Sequence, residues 1–433
     1  MLGQSFEQAK PMLRNLHPSE VAAILEEVTP ETRAKIFSLL PVERASEVIA
    51  EFSEDSNPGD LLLAMSPEAA ARIIEELEPD DAADLLLQIP YKELRHIMAR
   101  LGSEEKKVIR QLMTYPEDTA GGIMTTEILK VPANFTKHEA LQEIIRLSDE
   151  MEEFYFIYVV NELGQLVGIV SLKSLIRAKA NDTVSSLILE NIVSVPVDMH
   201  QEDVARTMKK WDLPAIPVVD AENKLLGRVT FDDVMDVLEE ESTADMLGIA
   251  GVSQAESIRG SWWDAVKSRI PWLLMNLLTA SLAGIVVALY NGTLERLVIL
   301  TSYMPVIAGV GGNGATQTLA VTLRRIATDG SNPSHFWKVV SKELLVGLVN
   351  GILIGIAVAS VALLLNQSAM LGVVVFCAMM GNLVIGALAG SSVPLLVQRL
   401  GGDPALASSI FITPLTDVIG YSLLLGLSSL LLL

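Results

Sequence analysis

The chain has 433 residues, half of them hydrophobic, with a formal net charge of −21 and a mean hydropathy of +0.40. That hydropathy is high for a soluble protein, and the charge is too great for a chain buried wholly in lipid. An acidic surface of this size repels nucleic acid and anionic lipid and attracts cations, and the single cysteine, Cys377, excludes an intrachain disulfide.

The charges are divided unevenly. From Pro271 onward there are five acids and six bases, which leaves 48 acids and 26 bases in residues 1–270, a net of −22. An acidic soluble half is therefore joined to a nearly neutral, apolar half. The opening MLGQSFEQAKPML has no charged segment leading into an apolar run, so no cleaved leader is expected.

Residues 1–120 carry a repeat with an offset of 49. Pro18, Pro30 and Pro41 recur as Pro67, Pro79 and Pro90, and Ile24, Leu25 and Phe37 recur as Ile73, Ile74 and Leu86. Each proline stands near the start of a segment with apolar residues at helical spacing, such as PSEVAAILEEV and PEAAARIIEEL. Proline suits a helix's first turn. The pattern predicts a superhelix of short helices.

Residues 124–240 carry a second repeat. ILKVPANFTKHEALQEII (128–145) is similar to IVSVPVDMHQEDVARTM (192–208), and IYVVNELGQLVGIVSLKSL (157–175) to IPVVDAENKLLGRVTFDDV (216–234). Each copy reads strand, helix, strand, turn, strand, helix. The pair resembles tandem CBS domains, which usually pack face to face and often bind adenine nucleotides, so ATP is a ligand this resemblance allows. EDTAGGIMT (117–125) is read as the link from the helical part to the first copy. A connecting helix is expected over 241–269, with Trp262, Trp263 and Trp272 suited to a membrane interface.

Residues 270–433 hold uncharged runs for five spans of about 20 residues each. These are Ile270–Leu294, Leu297–Leu323, two within Leu344–Gln398 with a turn at Asn366–Ser368, and Pro404–Leu433. Lys267, Arg269, Arg324, Arg325, Lys338, Lys342 and Arg399 fall on one side of these spans, which predicts a cytoplasmic N-terminus and an extracytoplasmic C-terminus. Pro305, Gly311, Gly312 and Asn313 within MPVIAGVGGNGATQT (304–318) predict broken backbone, which is tolerated only against protein or a water-filled path. MMGNLVIG (379–386) adds Asn382 as a pore-lining candidate. In ITPLTDVIGYSLLL (412–425), Asp417 is the only charged residue from Pro404 to the end. An aspartate at mid-membrane costs roughly 2.5–3.5 kcal/mol on insertion scales, which points to an ion pathway.

A helical superhelix, two CBS copies, a connecting helix and five spans together resemble the MgtE family of bacterial magnesium channels. EDTAGGIMT, GGNGATQT (311–318) and DPALASSIFITPLTDVIG (403–420) carry the resemblance most specifically. The family's usual pattern is nearer GGN, small, small, Q; here Gly314, Ala315 and Thr316 precede Gln317. The resemblance implies a transporter rather than an enzyme, a multi-pass protein of the bacterial cytoplasmic membrane, and a homodimer with the pore on its two-fold axis. Mg²⁺ wants hard oxygen ligands and gives up water reluctantly, so Asp417 from two subunits holding a hydrated ion fits that chemistry.

The resemblance also assigns cytosolic Mg²⁺ sites to Glu47, Asp80, Asp84, Glu202, Asp212, Asp233, Asp236, Glu241, Asp245 and the loop residue Asp403. Asp80 and Asp84 stand at i, i+4 on one predicted helix face. His200 and Ala244 occupy positions where family members carry other site residues. With little internal Mg²⁺, facing acids repel by about 4 kcal/mol for a pair about 4 Å apart at an effective dielectric near 20. Bound Mg²⁺ would bridge them and shut the pore. Other readings are a transporter of Co²⁺, Mn²⁺ or Ni²⁺ and a non-transporting membrane sensor. An intramembrane metalloprotease needs a motif such as His-Glu-x-x-His in a span, and His17, His96, His138, His200 and His335 all lie outside the spans. A CBS-gated anion transporter is disfavoured by an acid, and no base, within a span.

Overall fold

The computed structural model describes residue 13 and residues 15–53, 56–148, 156–189, 192–252, 261–329, 336–365, 368–400 and 402–433. It divides into two compact units, 1–241 and 242–433.

In the first unit, eight short helices follow one another: α1 (Pro18–Glu26), α2 (Pro30–Phe37), α3 (Val42–Ala50), α4 (Gly59–Leu63), α5 (Pro67–Glu75), α6 (Pro79–Leu87), α7 (Tyr91–Met98) and α8 (Ser103–Leu112). The prolines of the repeat open these helices. Pro18, Pro30, Pro67 and Pro79 are first-turn residues, whereas Pro41 and Pro90 are the N-caps of α3 and α7. Proline at these positions loses no intrahelical hydrogen bond. The repeat pairs α1 with α5, α2 with α6 and α3 with α7; of its apolar members Leu25, Phe37, Ile73, Ile74 and Leu86 are buried, and Ile24 is exposed.

Two three-stranded sheets follow. β1 (Lys130–Pro132), α9 (Lys137–Ser148), β2 (Ile157–Val160), β3 (Leu166–Val170) and α10 (Leu172–Arg177) form the first CBS copy. β4 (Val195–Pro196), α11 (Gln201–Trp211), β5 (Ala215–Val219), β6 (Leu225–Thr230) and α12 (Phe231–Ile249) form the second. In each sheet the first pair is parallel and the second antiparallel. The turn tips carry Gly164 at φ +77° in one copy and Asn223 at φ +62° in the other, both left-handed, which Gly and Asn tolerate best. The tips exchange backbone bonds, Leu166 N–H to Asn223 O at 2.9 Å and Leu225 N–H to Gly164 O at 3.1 Å. Tyr158, Leu166, Val219 and Leu225 close a small core between the copies.

EDTAGGIMT is not a free link to the first copy; it is laced onto the second. Ala120 N–H donates to Met199 O at 2.7 Å, Gly121 N–H to Val197 O at 2.9 Å, and Thr125 and Arg228 exchange two backbone bonds of 2.9 Å. A Cβ on Gly121 would lie 2.7 Å from both Tyr115 and Val197, and one on Gly122 2.4 Å from the Pro116 carbonyl. The two glycines thus allow backbone to lie against backbone. The core of the short helices continues without a break into the second CBS copy, through Ala120, Met124, Val195, Val204 and Ile216.

α12 begins in the second copy and runs on without interruption to Ile249, past residue 241. Of the connecting helix expected over 241–269, residues 253–260 lie outside the described residues; 262–269 belong to the next helix.

The second unit contains α13 (Trp262–Leu289), a short α14 (Asn291–Arg296), α15 (Leu300–Asp329), α16 (Phe336–Leu364), α17 (Ala369–Arg399) and α18 (Pro404–Leu431). Among the described residues, four segments are long and apolar enough to cross a membrane: α13, α16, α17 and Ile410–Leu431 of α18. α15 is long enough at 30 residues, but Asn313, Thr316, Gln317 and Thr318 lower its hydropathy. Residues 366 and 367 of the expected Asn366–Ser368 turn lie outside the described residues. α17 packs against α15, α16 and α18, and α13 against α18. Gly347, Gly351 and Gly355 of α16 line up at four-residue spacing. A Cβ on them would meet Ala387 at 2.5 Å, Met380 at 3.0 Å and Phe376 at 2.9 Å, so α16 and α17 approach through a small-residue seam.

One expectation is overturned. Pro305, Gly311, Gly312 and Asn313 do not break the backbone: α15 is a continuous helix from Leu300 to Asp329. Pro305 sits only five residues past the helix start, where little of the hydrogen-bond ladder precedes it. Gly311 instead serves packing against a neighbouring helix, whereas Gly312 would admit a Cβ at ordinary contact distance.

Candidate ion pathway and cytosolic acid clusters

Asp417 stands near the middle of α18 and is half-buried. The preceding residue, Thr416, is fully buried, with its hydroxyl donating to Thr413 O at 2.7 Å. Gly312 of α15 faces this segment: a Cβ there would sit 3.6 Å from Thr413 Cγ2 and 3.9 Å from Thr416 Oγ1. Of the pore candidates on α15, Gly311 and Gly312 are buried, Asn313 is exposed, and Pro305 is exposed as well. Among the described residues, no side-chain hydrogen bond joins Asp417 or Asn313 to another group.

Asn382 of α17 has no exposed surface at all. It does not line an open path in this arrangement but fills the crossing of α15, α17 and α18. Its Nδ2 donates to Ile307 O at 3.0 Å, and its Oδ1 is buried without a partner. Gly311 is glycine because a Cβ there would lie 2.0 Å from Nδ2; on Gly420, three residues after Asp417, the distance would be 2.7 Å.

The acids expected as regulatory sites separate into two kinds. Some are already satisfied by the chain. Glu47 pairs with Arg44 at 2.5 Å and Glu202 with Arg206 at 2.7 Å. Glu241 accepts from Gln201 Nε2 at 3.2 Å, and Asp403 caps α18 by accepting from Ala405 N–H at 2.8 Å. Asp212 ends α11 in a left-handed conformation at φ +50° and is exposed. His200 is likewise engaged by the fold. It is the N-cap of α11, accepting from Glu202 N–H at 3.3 Å, with Nε2 3.6 Å from the Asp118 carboxylate. Asp84 is exposed on α6, and Asp245 is half-buried on α12 beyond the turn that carries Asp236.

The others collect where the first turn of α6 meets the first turn of α12. A helix N-terminus favours its own acids, and here two such turns face each other. Asp80 is 7% exposed and its Oδ1 has no partner. Burial, then Asp233, Asp81 and Glu78, push its carboxyl well above the usual range. Asp81 is pushed up to about 8 by burial and then by Glu78, Asp233 and Asp84; its side chain is exposed to water on one side, and the upward direction follows from these acids beside it. Burial raises Asp233, with Asp232 and Asp236 adding to the effect while the Thr230 hydroxyl and N–H oppose it. Glu78 is raised by burial and by Asp233, against the pull of Arg228 and Thr125. Asp236, on the rim, is raised by burial, Asp232, Glu239 and Glu51.

Asp80 and Asp233, expected as site residues, are thus brought together. Glu78, Asp81 and Asp232 join them, and Arg228, 5% exposed, is the nearby cation. The signal in the sequence was the doublets EPDD (78–81) and FDD (231–233), each at a helix start. Among the described residues, no three acid, imidazole or thiol groups converge tightly enough to enclose a bare ion. The orphaned Asp80 Oδ1 and its acidic neighbours nevertheless fit a cation.

The CBS pair has buried polar groups of its own. The Tyr158 hydroxyl and Arg228 Nε are both without partners, and burial pushes the Tyr158 hydroxyl up to about 12.

Comparisons with known proteins agree along the chain. Residues 304–427 match the family model of the MgtE divalent cation transporter, 16–118 match the MgtE intracellular N domain, and 120–181 and 184–240 match the CBS domain. The magnesium transporter MgtE of Thermus thermophilus is 32% identical over 434 aligned residues, covering 98% of this chain and 95% of the relative. That of Enterococcus faecalis is 37% identical over 316 residues, covering 73% and 70%. The crystal structure of the cytosolic domain of the Mg²⁺ channel MgtE in complex with ATP superposes with a TM-score of 0.52 at 34% identity, covering 55% of this chain and 96% of that one. With each of its parts in the order that defines these relatives, and the identity extending over nearly the full length, the chain belongs to the MgtE family.

Proposed function

We propose that this protein conducts Mg²⁺ across the cytoplasmic membrane, as a homodimer whose cytosolic half shuts the path when internal Mg²⁺ is abundant. The observation that carries the conducting role is Asp417: one half-buried acid on an apolar helix, one turn from the Gly420–Asn382 crossing, inside the segment matching the divalent cation transporter model. A carboxylate there is retained at a cost unless a cation offsets it. Asp417 holds the ion through its water shell, since Mg²⁺ dehydrates reluctantly. The N-terminus is cytoplasmic and the C-terminus extracytoplasmic, following the Lys/Arg distribution. Inward flow is driven by the membrane potential, worth about 2.3 kcal/mol per charge per 100 mV.

The shut-off resides in the acids between α6 and α12, with Asp236 on their rim; Glu47, Asp84, Glu202, Asp212, Glu241, Asp245 and Asp403 are further regulatory sites, and at Glu47, Glu202, Glu241 and Asp403 Mg²⁺ competes with the chain's own partners. Mg²⁺ bound among Asp80, Asp81 and Asp233 supplies the positive charge these carboxylates lack. ATP is proposed as a second ligand, held in the CBS pair, where Tyr158 and Arg228 offer unpartnered polar atoms.

Mg²⁺ flux in proteoliposomes, with Asp417→Ala and Asp417→Asn, tests the reading. Both variants should express and assemble as wild type and lose flux; the Ala change removes a costly charge, so the helix inserts at least as readily. Wild-type flux from a well-folded Asp417→Ala protein would overturn it. Co²⁺, Mn²⁺ and Ni²⁺ in competition set the ion preference.

A further inference from the structure

The unmet carbonyl of Asn382 singles out this residue. Its amide has no exposed surface, makes one bond to the α15 backbone at Ile307 O, and leaves Oδ1 buried without a donor. The crossing is shaped around it, with Gly311 and Gly420 leaving no room for a Cβ beside Nδ2. On the next turn, a Cβ on Gly386 would lie 3.3 Å from Gly311 O. A single bond between membrane helices returns little, and an orphaned buried acceptor costs more than such a bond returns. Relative to an apolar side chain of the same shape, the amide therefore disfavours the close-packed crossing. Gly420, in the same turn of α18 as Asp417, lies against Nδ2 and Cγ of this amide, so a movement of α18 that uncovers Asp417 also loosens the packing around the Asn382 side chain.

We propose that Asn382 is a positioning residue that sets the balance between shut and conducting arrangements: its unmet Oδ1 penalises the tight crossing of α15, α17 and α18 and becomes hydrated when α18 moves to open the path at Asp417. This rests on the reading that Asp417 lines the ion path. Asn382 holds α15 in register through Ile307 while keeping the crossing from locking. A residue kept only for packing would have no reason to carry an acceptor that nothing meets.

Asn382→Leu keeps the branching at Cγ and removes the acceptor, and the smaller Asn382→Val controls for the extra bulk of the leucine methyl groups. The expected result is a melting temperature in detergent at or above wild type, by about 2–4 °C, with Mg²⁺ flux at least about ten-fold lower and the oligomer intact. A lower melting temperature, with flux falling in proportion to folded protein, would make Asn382 a structural tie and overturn the proposal; so would wild-type flux. A second measurement avoids dependence on folding of the Leu variant. In a Cys377→Ser background, Asn382→Cys is exposed to a small charged methanethiosulfonate. Modification should be about ten-fold faster in chelator than in millimolar Mg²⁺. Equal, slow modification in both, in vesicles that conduct, would overturn the proposal. Absence of Mg²⁺ flux from the wild-type protein would instead refute the transport reading, and the melting and thiol comparisons would still report on the crossing.

Discussion

Gly311 and Gly312 are neighbours in one helix, yet their alanine variants should behave differently. An alanine Cβ at 311 would sit 2.0 Å from Asn382 Nδ2 and 2.8 Å from its Cγ, far inside contact distance. Asn382 cannot withdraw, because it is fully buried and Gly420 already leaves no slack on its other side. Overpacking of this kind costs about 1–3 kcal/mol. At 312 the nearest atom is Thr413 Cγ2 at 3.6 Å, an ordinary contact. Both changes gain about 1 kcal/mol of helix propensity, which cancels when the two are compared. The difference between them is then the overpacking alone, about 1–3 kcal/mol, or roughly 2–4 °C in melting temperature for each kcal/mol in a domain of this size. Thermal unfolding of the detergent-solubilised protein, followed by the surviving size-exclusion peak, measures it. If Gly311→Ala melts at or above Gly312→Ala, the glycines are not there for helix packing, and a break in α15 under other conditions becomes the better explanation.

Asp80→Asn keeps the shape of a buried side chain and removes one charge from the α6–α12 cluster; the cytosolic half should then resist limited proteolysis in chelator, where wild type is cut, and equal cleavage of the two would count against repulsion as the opening force. The same cluster predicts a pH dependence. Asp80, Asp81, Asp233 and Glu78 hold protons more tightly when assembled than when separated, so the assembled form binds more protons and loses stability as pH rises, from the ordinary carboxylate range near 4 to about 8 for Asp81. Small-angle scattering of the chelated protein should show a more compact particle at about pH 5 than at about pH 9, and millimolar Mg²⁺ should remove the difference. Deleting residues 1–120 should leave a protein that conducts Mg²⁺ with weaker shut-off; a truncated protein that inserts, folds and carries no current would refute the division of labour.

Much of this organisation could be read from residue patterns. The 49-residue offset foretold the paired helices, because the prolines that mark it act locally, at helix starts. The CBS copies were visible because strand alternation and turn chemistry are also local. Asp417 stood out because a lone acid in 30 apolar residues needs a reason. What escaped was set by contacts distant in sequence. Gly311 looked like a backbone breaker because Asn382, 71 positions away, is the partner that requires it. EDTAGGIMT read as a link to the first CBS copy, yet Gly121 lies against Val197 of the second and Gly122 against the Pro116 carbonyl. Glu78 and Asp81 gave no signal of their own, because an acid at the N-cap or in the first turn of α6 is ordinary and only α12 opposite gives them a role. The Gly347, Gly351 and Gly355 seam was dissolved in a uniformly apolar run, where only the identity of the facing helix gives the spacing meaning.

The reciprocal bonds at the tips of the two CBS turns limit what that pair can do mechanically. Leu166 holds Asn223 and Leu225 holds Gly164 through backbone atoms, Asn223 Nδ2 donates to Leu166 O at 2.9 Å, and Gln165 Nε2 donates to Glu222 O at 2.7 Å. A clasp made of main chain and uncharged side-chain amides cannot be loosened by changing a side-chain charge. The two copies are therefore unable to part like scissor blades at this edge. A ligand seated between them can turn the pair only as one stiff plate, and any signal it sends must appear as a rotation of the whole, carried outward by α12.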